Sequence, residues 1–156
     1  MKRNIIAIGG GRIMVPKGQN PQTLAIDKEI LRLCHRKKPR FLFFPTASLD
    51  DEAYCERIKN HFGEKLGCRV ETLLLYRQRP NAKVIKNKIL NAGIIYVGGG
   101  NTLRMMNLWR QLGIDRLVNK ARKKDASCPD QVPVASAGFV RATVIQESMQ
   151  TKITTL

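Results

Sequence analysis

The first 124 residues alternate short apolar runs with segments whose apolar residues recur at helical spacing. The apolar runs predict strands at residues 4–8, 41–44, 69–75 and 94–97. The helical spacing predicts helices at residues 23–34, 50–66, 81–90, 102–112 and 115–124. Strands that alternate with helices are typical of βαβ units, in which helices cover a parallel sheet. The sequence therefore predicts an α/β fold with a mostly parallel sheet, and its 156 residues suit one domain.

The apolar runs are too short to cross a membrane, since a span needs about 20 consecutive apolar residues. The four cysteines, Cys34, Cys55, Cys68 and Cys128, are scattered without a CxxC motif or metal-ligand spacing. They are typical of reduced thiols in a cytosolic protein, so a cytoplasmic location is predicted. The sequence gives no reason to expect a metal ion or another cofactor.

The chain is strongly basic, with 28 Lys and Arg residues against 12 Asp and Glu residues and a net charge of +16. Such a charge raises nucleic acid as a partner. The basic residues are spread through every predicted element, however, and the aromatic residues do not interleave with them as stacking platforms would. Residues 125–156 hold only two of the basic residues, Arg141 and Lys152. We therefore favour a solvated basic surface over nucleic-acid binding. The low count of basic residues in 125–156 also shows that this segment differs in composition from the rest of the chain.

Two of the predicted strands run directly into three glycines. Residues 9–11 lack the spacing of a dinucleotide-binding motif, so they predict a tight strand exit where backbone can approach a ligand. The second glycine loop consists of Gly98, Gly99, Gly100 and Asn101. Its backbone N–H groups lie at the carboxyl end of a strand, as an oxyanion hole requires, and Asn101 or Thr102 can cap the next helix. An ordinary strand-to-helix turn is the alternative interpretation.

Several other polar side chains are expected to have structural roles. Ser48 or Asp50 is expected to cap the helix that follows the second strand. His35 lies in a basic turn, and His61 lies near the end of a predicted helix, where a cation interacts favourably with the helix dipole. Both histidines are therefore expected to be structural or solvated rather than catalytic.

Several segments together resemble the peptidase E family of serine peptidases, which includes cyanophycinase. The matching segments are residues 5–11, 26–30, 43–48 and 94–103, followed by Met105, Met106, Leu108 and Trp109. Their order and spacing agree with the family over about residues 1–124. The resemblance implies a three-layer α/β sandwich with a mostly parallel sheet, of the class I glutamine-amidotransferase-like type. It also implies hydrolysis of small aspartyl peptides, for which a basic site is suited.

The family carries its serine nucleophile on a Gly-Xaa-Ser-Ala-Gly elbow after the next strand, with a histidine and an acidic residue further along. The resemblance makes residues 98–101 the backbone side of the oxyanion site. In a first interpretation, residues 132–138 are that strand and elbow, with Ser136 as the nucleophile. Val134 then replaces the family's first glycine, although the elbow is a strained turn with little room for a side chain.

In a second interpretation, the reading frame slips at about Lys124. Codons that encode residues 124–139 can be chosen so that, read in the shifted frame, they encode an apolar strand, a Gly-Ser-Ser-Ala-Gly elbow and an apolar helix. We favour this interpretation, in which residues 1–124 are an incomplete peptidase E-like domain and residues 125–156 are an aberrant tail. Ser136 would then resemble the nucleophile by chance. A segment 125–156 shared by independent relatives would contradict this interpretation.

The catalytic apparatus is incomplete under either interpretation, because no histidine follows Ser136 to act as its base. We therefore expect an impaired serine peptidase whose partner is a small acidic peptide and not a membrane. One alternative is a non-catalytic remnant or anion-binding module that uses the glycine loops. The other is a basic nucleic-acid-associated protein, whose affinity would fall steeply with salt.

Overall fold

The structure is a computed structural model that describes residues 5–13, 21–123 and 134–137, with the backbone alone for residues 122–123 and 134–137. Cys128 and most of the segment 125–156 lie outside these residues. The strands are β1 (Ile5–Ile8), β2 (Arg40–Phe44), β3 (Arg69–Thr72), β4 (Ile94–Val97) and β5 (Val134–Ala137). The α-helices are α1 (Leu24–Cys34), α2 (Glu52–Ile58), α3 (Ala82–Asn91), α4 (Thr102–Leu112) and α5 (Ile114–Lys123).

The five described strands form one parallel sheet with the order β1-β5-β4-β2-β3. The parallel sheet that the alternating pattern predicts is thus confirmed. β5 lies within the segment 125–156, which the sequence analysis treats as an aberrant tail, and its backbone pairs with both β1 and β4. A strand from this segment therefore occupies an interior position of the sheet.

A separate apolar core covers each face of the sheet, because the side chains of β2 and β4 alternate between the two faces. One core contains Leu42, Phe44, Ile95 and Val97, which pack with residues of α3, α4 and α5. The other core contains Phe41, Phe43, Ile94 and Tyr96, which pack with residues of α1, α2 and the segment after α2. The molecule is therefore a three-layer α/β sandwich, as predicted, with helices on both faces of the sheet.

The helix predicted over residues 50–66 consists of two different segments. α2 ends at Ile58, and a π-helix continues over Lys59–Lys65. A π-helix bonds across five residues, as in the 3.1 Å hydrogen bond from the Leu66 N–H to the His61 carbonyl. This wider turn lets two consecutive residues, His61 and Phe62, both be buried. The spacing of the apolar residues predicted an ordinary helix because it does not distinguish the two turns.

The predicted cap of α2 is corrected by the structure. Asp51 caps the helix, with its Oδ1 accepting the Tyr54 N–H at 2.6 Å. Asp50 instead accepts backbone N–H groups from the loop after β3, including that of Tyr76 at 2.7 Å. The Ser48 hydroxyl donates to a carbonyl of its own turn at 2.9 Å. The helix starts later than expected, so the two expected caps stabilise neighbouring turns.

His61 joins the π-helix to α1 through a buried pair with Asp27. The His61 Nε2 lies 2.8 Å from the Asp27 Oδ2, and the Thr23 hydroxyl donates to the same oxygen at 2.8 Å. The histidine and the aspartate are 4% and 0% exposed, respectively, so both are shielded from water. His35 is exposed and caps the end of α1 with a left-handed backbone. His61 thus occupies a structural position, and His35 is solvated.

Candidate active site

The loops after β1, β2 and β4 meet at one edge of the sheet, because the strands are all parallel. In open α/β sheets, ligands bind in the crevice at the carboxyl ends of the strands. β5 lies between β1 and β4, so the two glycine loops leave the sheet on either side of it. The strand order therefore places both loops where a ligand could contact them together.

Ser136 is the next-to-last residue of β5. Its backbone is in register with Ala7 of β1 and with Val97 of β4. Since Val97 directly precedes Gly98, the backbone of Ser136 lies beside the start of the second glycine loop. The register therefore places the backbone of Ser136 next to the loop of residues 98–101. The role of Ser136 as the nucleophile stays a prediction.

The second glycine loop uses two of its four backbone N–H groups to hold its own position. Gly98 donates to the Phe44 carbonyl at 2.9 Å, and Asn101 donates to the Ala47 carbonyl at 2.8 Å. No backbone acceptor is found among the described residues for the N–H groups of Gly99 and Gly100. The Gly99 backbone instead hydrogen-bonds to the Tyr54 phenol. Among the described residues, Gly100 is therefore the member of the loop whose N–H group is left as a predicted oxyanion donor.

A cavity of about 310 Å³ lies beside the two glycine loops. Its lining includes Gly10 and Gly11 from the first loop and Gly99 from the second. The polar side chains among its described lining residues are those of Arg12, Thr23, Tyr54, Arg57 and Tyr96, and none of these residues is an aspartate or a glutamate. This volume suits a small ligand, and the lining suits an anionic one.

Two tyrosines are among the residues that line the cavity. Burial raises the pKa of Tyr54, and the backbone of Gly99 hydrogen-bonds to this phenol and lowers its pKa by a smaller amount. Burial also raises the pKa of Tyr96, and the nearby Tyr54 and Asp27 raise it further. Both phenols therefore stay protonated at neutral pH.

The positive charge at the cavity comes from two arginines. The Arg57 guanidinium lies over the Tyr54 ring, 5.5 Å from its centroid, and 3.7 Å from the carboxylate of Asp51. The Arg12 N–H donates to the Gln22 side chain at 3.0 Å, which holds the backbone of the first loop. Arg12 makes no ion pair with any of the described residues. Within the described ranges, no carboxylate therefore competes with a ligand for its charge.

No histidine is present among the described residues that line the cavity. His61 is held in the core by Asp27, and His35 lies at the end of α1, in the turn that leads into β2. Within the described ranges, no cluster of His, Cys, Asp and Glu side chains could hold a metal ion. None of the described helices has the length and apolar character of a membrane span.

We expect the Asn101→Ala substitution to lower the free energy of unfolding by about 1 kcal/mol, because the Asn101 side chain caps α4. Its Oδ1 accepts the Arg104 N–H at 2.9 Å. Asn81 is a matched control, since its Oδ1 accepts the Val84 N–H at 2.9 Å and caps α3. Urea denaturation should give similar losses for Asn81→Ala and Asn101→Ala. If Asn101→Ala caused no measurable loss, the Asn101 side chain would not stabilise α4 as its cap.

The sequence analysis did not identify the two tyrosines or the two arginines as site residues. Tyr54 recurs at helical spacing with Ile58 and Phe62, so the pattern indicates a helix there and no site residue. Tyr96 lies inside an apolar run and was assigned to a buried strand. One signal was available, since Tyr96 is a hydroxyl-bearing residue two positions before a glycine loop. The two arginines belong to a general excess of basic residues and carried no local signal.

Comparison with known proteins identifies a family. The model of the family described as peptidase family S51 matches residues 5–128. An uncharacterised peptidase of Bacillus subtilis (strain 168), YgaJ, is 35% identical over 121 residues, which cover 78% of this chain and 50% of that protein. The chain thus spans about half the length of this relative.

Two solved structures have the same fold. A protein of Listeria monocytogenes EGD-e, provisionally named peptidase E, superposes with a TM-score of 0.62 at 18% identity, over 88% of this chain and 59% of that one. A peptidase from an acI-B1 actinobacterium superposes with a TM-score of 0.64 at 17% identity, over 88% of this chain and 54% of that one. At these identities the two structures support the α/β fold alone.

Proposed function

Because the chain belongs to peptidase family S51, the peptidase E family, we propose that it derives from serine hydrolases of small aspartyl peptides and that its own catalytic rate is strongly impaired. The cavity at the carboxyl edge of the sheet is the observation that carries this proposal. Its lining joins two arginines and two protonated phenols to residues of both glycine loops. Such a lining favours an acidic peptide over a neutral one.

The proposed reaction is acyl transfer to a serine. Under the in-frame interpretation, the Ser136 oxygen would bond to the carbonyl carbon of the peptide, and its proton would pass to a base. The N–H group of Gly100 would donate to the oxyanion that forms. The proton would then go to the leaving amine, and water would release the acyl group from the serine. The described cavity lacks a histidine to carry the proton, which is the reason for the expected impairment.

The reading-frame interpretation is part of the same proposal. If the frame slips at about Lys124, the ancestral elbow lies in the shifted frame, and Ser136 is not its nucleophile. The family match ends at residue 128, close to the proposed slip. Sequencing the gene together with an in-frame homologous locus would test this point directly.

The decisive experiment compares the chain with a restored chain, in which the insertion of one base at the Lys124 codon opens the shifted frame. The chain should hydrolyse the dipeptide Asp-Leu about 10⁴-fold more slowly than the restored chain, because a missing base costs at least that factor. Replacing the elbow serine of the restored chain with alanine should abolish its activity. Asn-Leu is the matched neutral substrate and should be the poorer one.

Two results would contradict the proposal in different ways. Hydrolysis by the chain at the restored rate, abolished by Ser136→Ala, would show that the chain is neither impaired nor frameshifted. A restored chain that is folded but inactive toward Asp-Leu would contradict the peptidase assignment itself.

A non-catalytic anion-binding module is the second candidate function. It is favoured by the same cavity, which holds donors and cations without a base among its described lining residues. Equilibrium binding of a small acid without turnover, in both the chain and the restored chain, would support this candidate.

A cytoplasmic location is also part of the proposal. Cys34, Cys55 and Cys68 are free thiols, as expected in a reducing compartment. Burial raises the pKa of Cys55 to about 11 and that of Cys68 to about 12, so both stay protonated and unreactive. The relation of the fold to class I glutamine amidotransferases likewise stays a prediction.

A further inference from the structure

The two layers of helices that cover the sheet differ sharply in charge. The helices of one layer, which are α1, α2 and the π-helix after α2, carry five basic and five acidic residues. The helices of the other layer, α3, α4 and α5, carry nine basic residues and a single acidic residue, Asp115. The basic residues are thus spread over both layers, but the acidic residues of the helices are concentrated in one. The layer of α3, α4 and α5, here called the basic layer, therefore holds the net positive charge of the helices.

The charge of the basic layer faces solvent. Six of its cationic side chains belong to exposed residues, namely Lys83, Lys86, Arg104, Arg110, Arg116 and Lys120. None of these six makes an ion pair with any of the described residues. Lys88 differs from them, because its Nζ lies 2.8 Å from a carboxylate oxygen of Glu71. Within the described ranges, no carboxylate therefore competes with a partner for the six exposed charges.

The exposed cations lie on three adjacent helices, since α5 packs against both α3 and α4. Lys83 and Lys86 are about one turn apart on α3, and Arg116 and Lys120 are about one turn apart on α5, so each pair lies on one side of its helix. The apolar sides of both helices are buried in the core that covers the sheet. The two pairs therefore point away from the sheet, and their charge forms a patch over neighbouring helices.

The composition of this patch fits a phosphate backbone. The other exposed polar residues of the three helices are amides, namely Asn87, Asn91, Asn107 and Gln111. Lys, Arg, Asn and Gln side chains all donate to phosphate oxygens of nucleic acids. α3, α4 and α5 contain one aromatic residue, Trp109, and it is buried, so these helices offer no ring on which the bases of a single strand could stack. The chemistry of the basic layer therefore favours the backbone of a duplex.

An anionic membrane fits the basic layer less well. A basic amphipathic helix binds a membrane by burying its apolar side in the lipid, but the apolar sides of α3 and α5 are already packed in the core. The exposed large apolar residues of the layer are Val84 in α3 and Leu103 and Leu112 at opposite ends of α4. They do not form one stripe along a helix, so they provide no surface for insertion.

We propose that the basic layer is a docking surface for the phosphate backbone of double-stranded nucleic acid, which it binds without sequence preference. Binding releases the cations condensed on the duplex, so the affinity falls as the salt concentration rises. This inference goes beyond the proposed function and is independent of it, because the described residues that line the cavity include none from α3, α4 or α5.

The experiment measures binding of the full chain to a fluorescent DNA duplex of about 20 base pairs by anisotropy, from about 50 to 200 mM salt. The test variant is Lys83→Gln/Lys86→Gln/Lys120→Gln. It should bind the duplex at least about tenfold more weakly at 100 mM salt, and its plot of log affinity against log salt should be flatter by about 2–3, because each lost phosphate contact removes about 0.9 from the slope. Surface substitutions of this kind leave the fold intact, which circular dichroism verifies.

The matched control is Lys28→Gln/Lys59→Gln/Lys65→Gln, which replaces three exposed lysines of the other layer. It lowers the net charge by the same amount as the test variant, so the two differ only in the surface that loses charge. The control should keep its affinity within about twofold and its salt slope within about one of the wild-type values. Equal losses in the two variants would overturn the proposal, since net charge alone would then explain binding.

A second measurement uses the wild-type chain, so it does not depend on the folding of a variant. Reductive methylation followed by mass spectrometry compares lysine reactivity with and without the duplex. Lys83, Lys86 and Lys120 should be protected by the duplex, and the lysines of the control variant should react at unchanged rates. Protection of both sets to the same extent would overturn the assignment of binding to the basic layer.

Three further results would overturn the proposal. The first is a failure of the chain to bind the duplex at 50 mM salt. The second is binding of phosphatidylserine vesicles more tightly than the duplex, with dependence on the same three lysines, which would make the partner a membrane. The third is such binding of polyglutamate, which would make it an acidic protein. An inactive restored chain that still binds the duplex through the basic layer would support this inference while the proposed function fails.

Discussion

The Gly100→Ala substitution should lower the free energy of unfolding by at least about 3 kcal/mol and displace the second glycine loop. Gly100 has a φ of +142°, which an alanine adopts only at a cost of about 1–3 kcal/mol. An added Cβ would also overlap the Ala47 carbonyl oxygen and lie 3.0 Å from the Ser48 nitrogen. Both obstacles are backbone atoms, so no side-chain rotation relieves the overlap.

Gly10→Ala is the matched control for this prediction. Gly10 has a similar φ of +126°, but a Cβ added there would meet no atom within 4 Å. The control therefore measures the cost of the backbone conformation without the overlap. Chemical denaturation should show a clearly larger loss for Gly100→Ala. Equal losses for the two variants would mean that the contact between the loop and Ala47 is not tight.

The His61→Ala substitution should lower the free energy of unfolding by about 3–5 kcal/mol, since it leaves the buried Asp27 carboxylate without its main partner. The His61 Nε2 lies 2.8 Å from the Asp27 Oδ2, and both side chains are buried. Urea denaturation at neutral pH measures the loss. His35→Ala is the control, and a change within about 0.5 kcal/mol is expected because His35 is exposed.

A double-mutant cycle tests the cause of this loss. Asp27→Asn removes the charge but keeps the shape of the side chain, so Asp27→Asn/His61→Ala leaves no unpaired carboxylate in the core. The double variant should therefore be more stable than the sum of the two single losses predicts. Additive losses would show that His61 stabilises the fold by packing against Phe62, with the rings 4.9 Å apart, and not by pairing with Asp27.

The elements of the fold could be predicted from the sequence because their signals are local. Apolar runs marked β1, β2 and β4, and helical spacing marked α1, α3, α4 and α5. The sequence limits the cap of α4 to Asn101 or Thr102, and the structure shows that Asn101 is the cap. The π-helix and the cap of α2 were missed, since each depends on a shift of one residue that periodicity does not resolve.

The candidate site could be predicted only in part. The second glycine loop was recognised from its own residues, but the Gly98 and Asn101 N–H groups are bonded to carbonyls of a segment more than 50 residues away. Tyr54 and Tyr96 are separated by more than 40 residues and meet only when α2 packs on β4. Neither of these contacts between distant residues leaves a pattern in any short window of the sequence.

The sequence by itself therefore determined the class of fold, the two glycine loops and the family, since periodicity and turn chemistry are properties of neighbouring residues. Tertiary structure decided the rest. The strand order placed β5, with Ser136, between the two loops, and helix packing brought Tyr54, Arg57 and Tyr96 around one cavity. It also paired Asp27 with His61, 34 residues further along the chain, in a buried contact. These groups are joined by contacts between distant segments, which form only when the parallel sheet assembles and the helices cover its two faces.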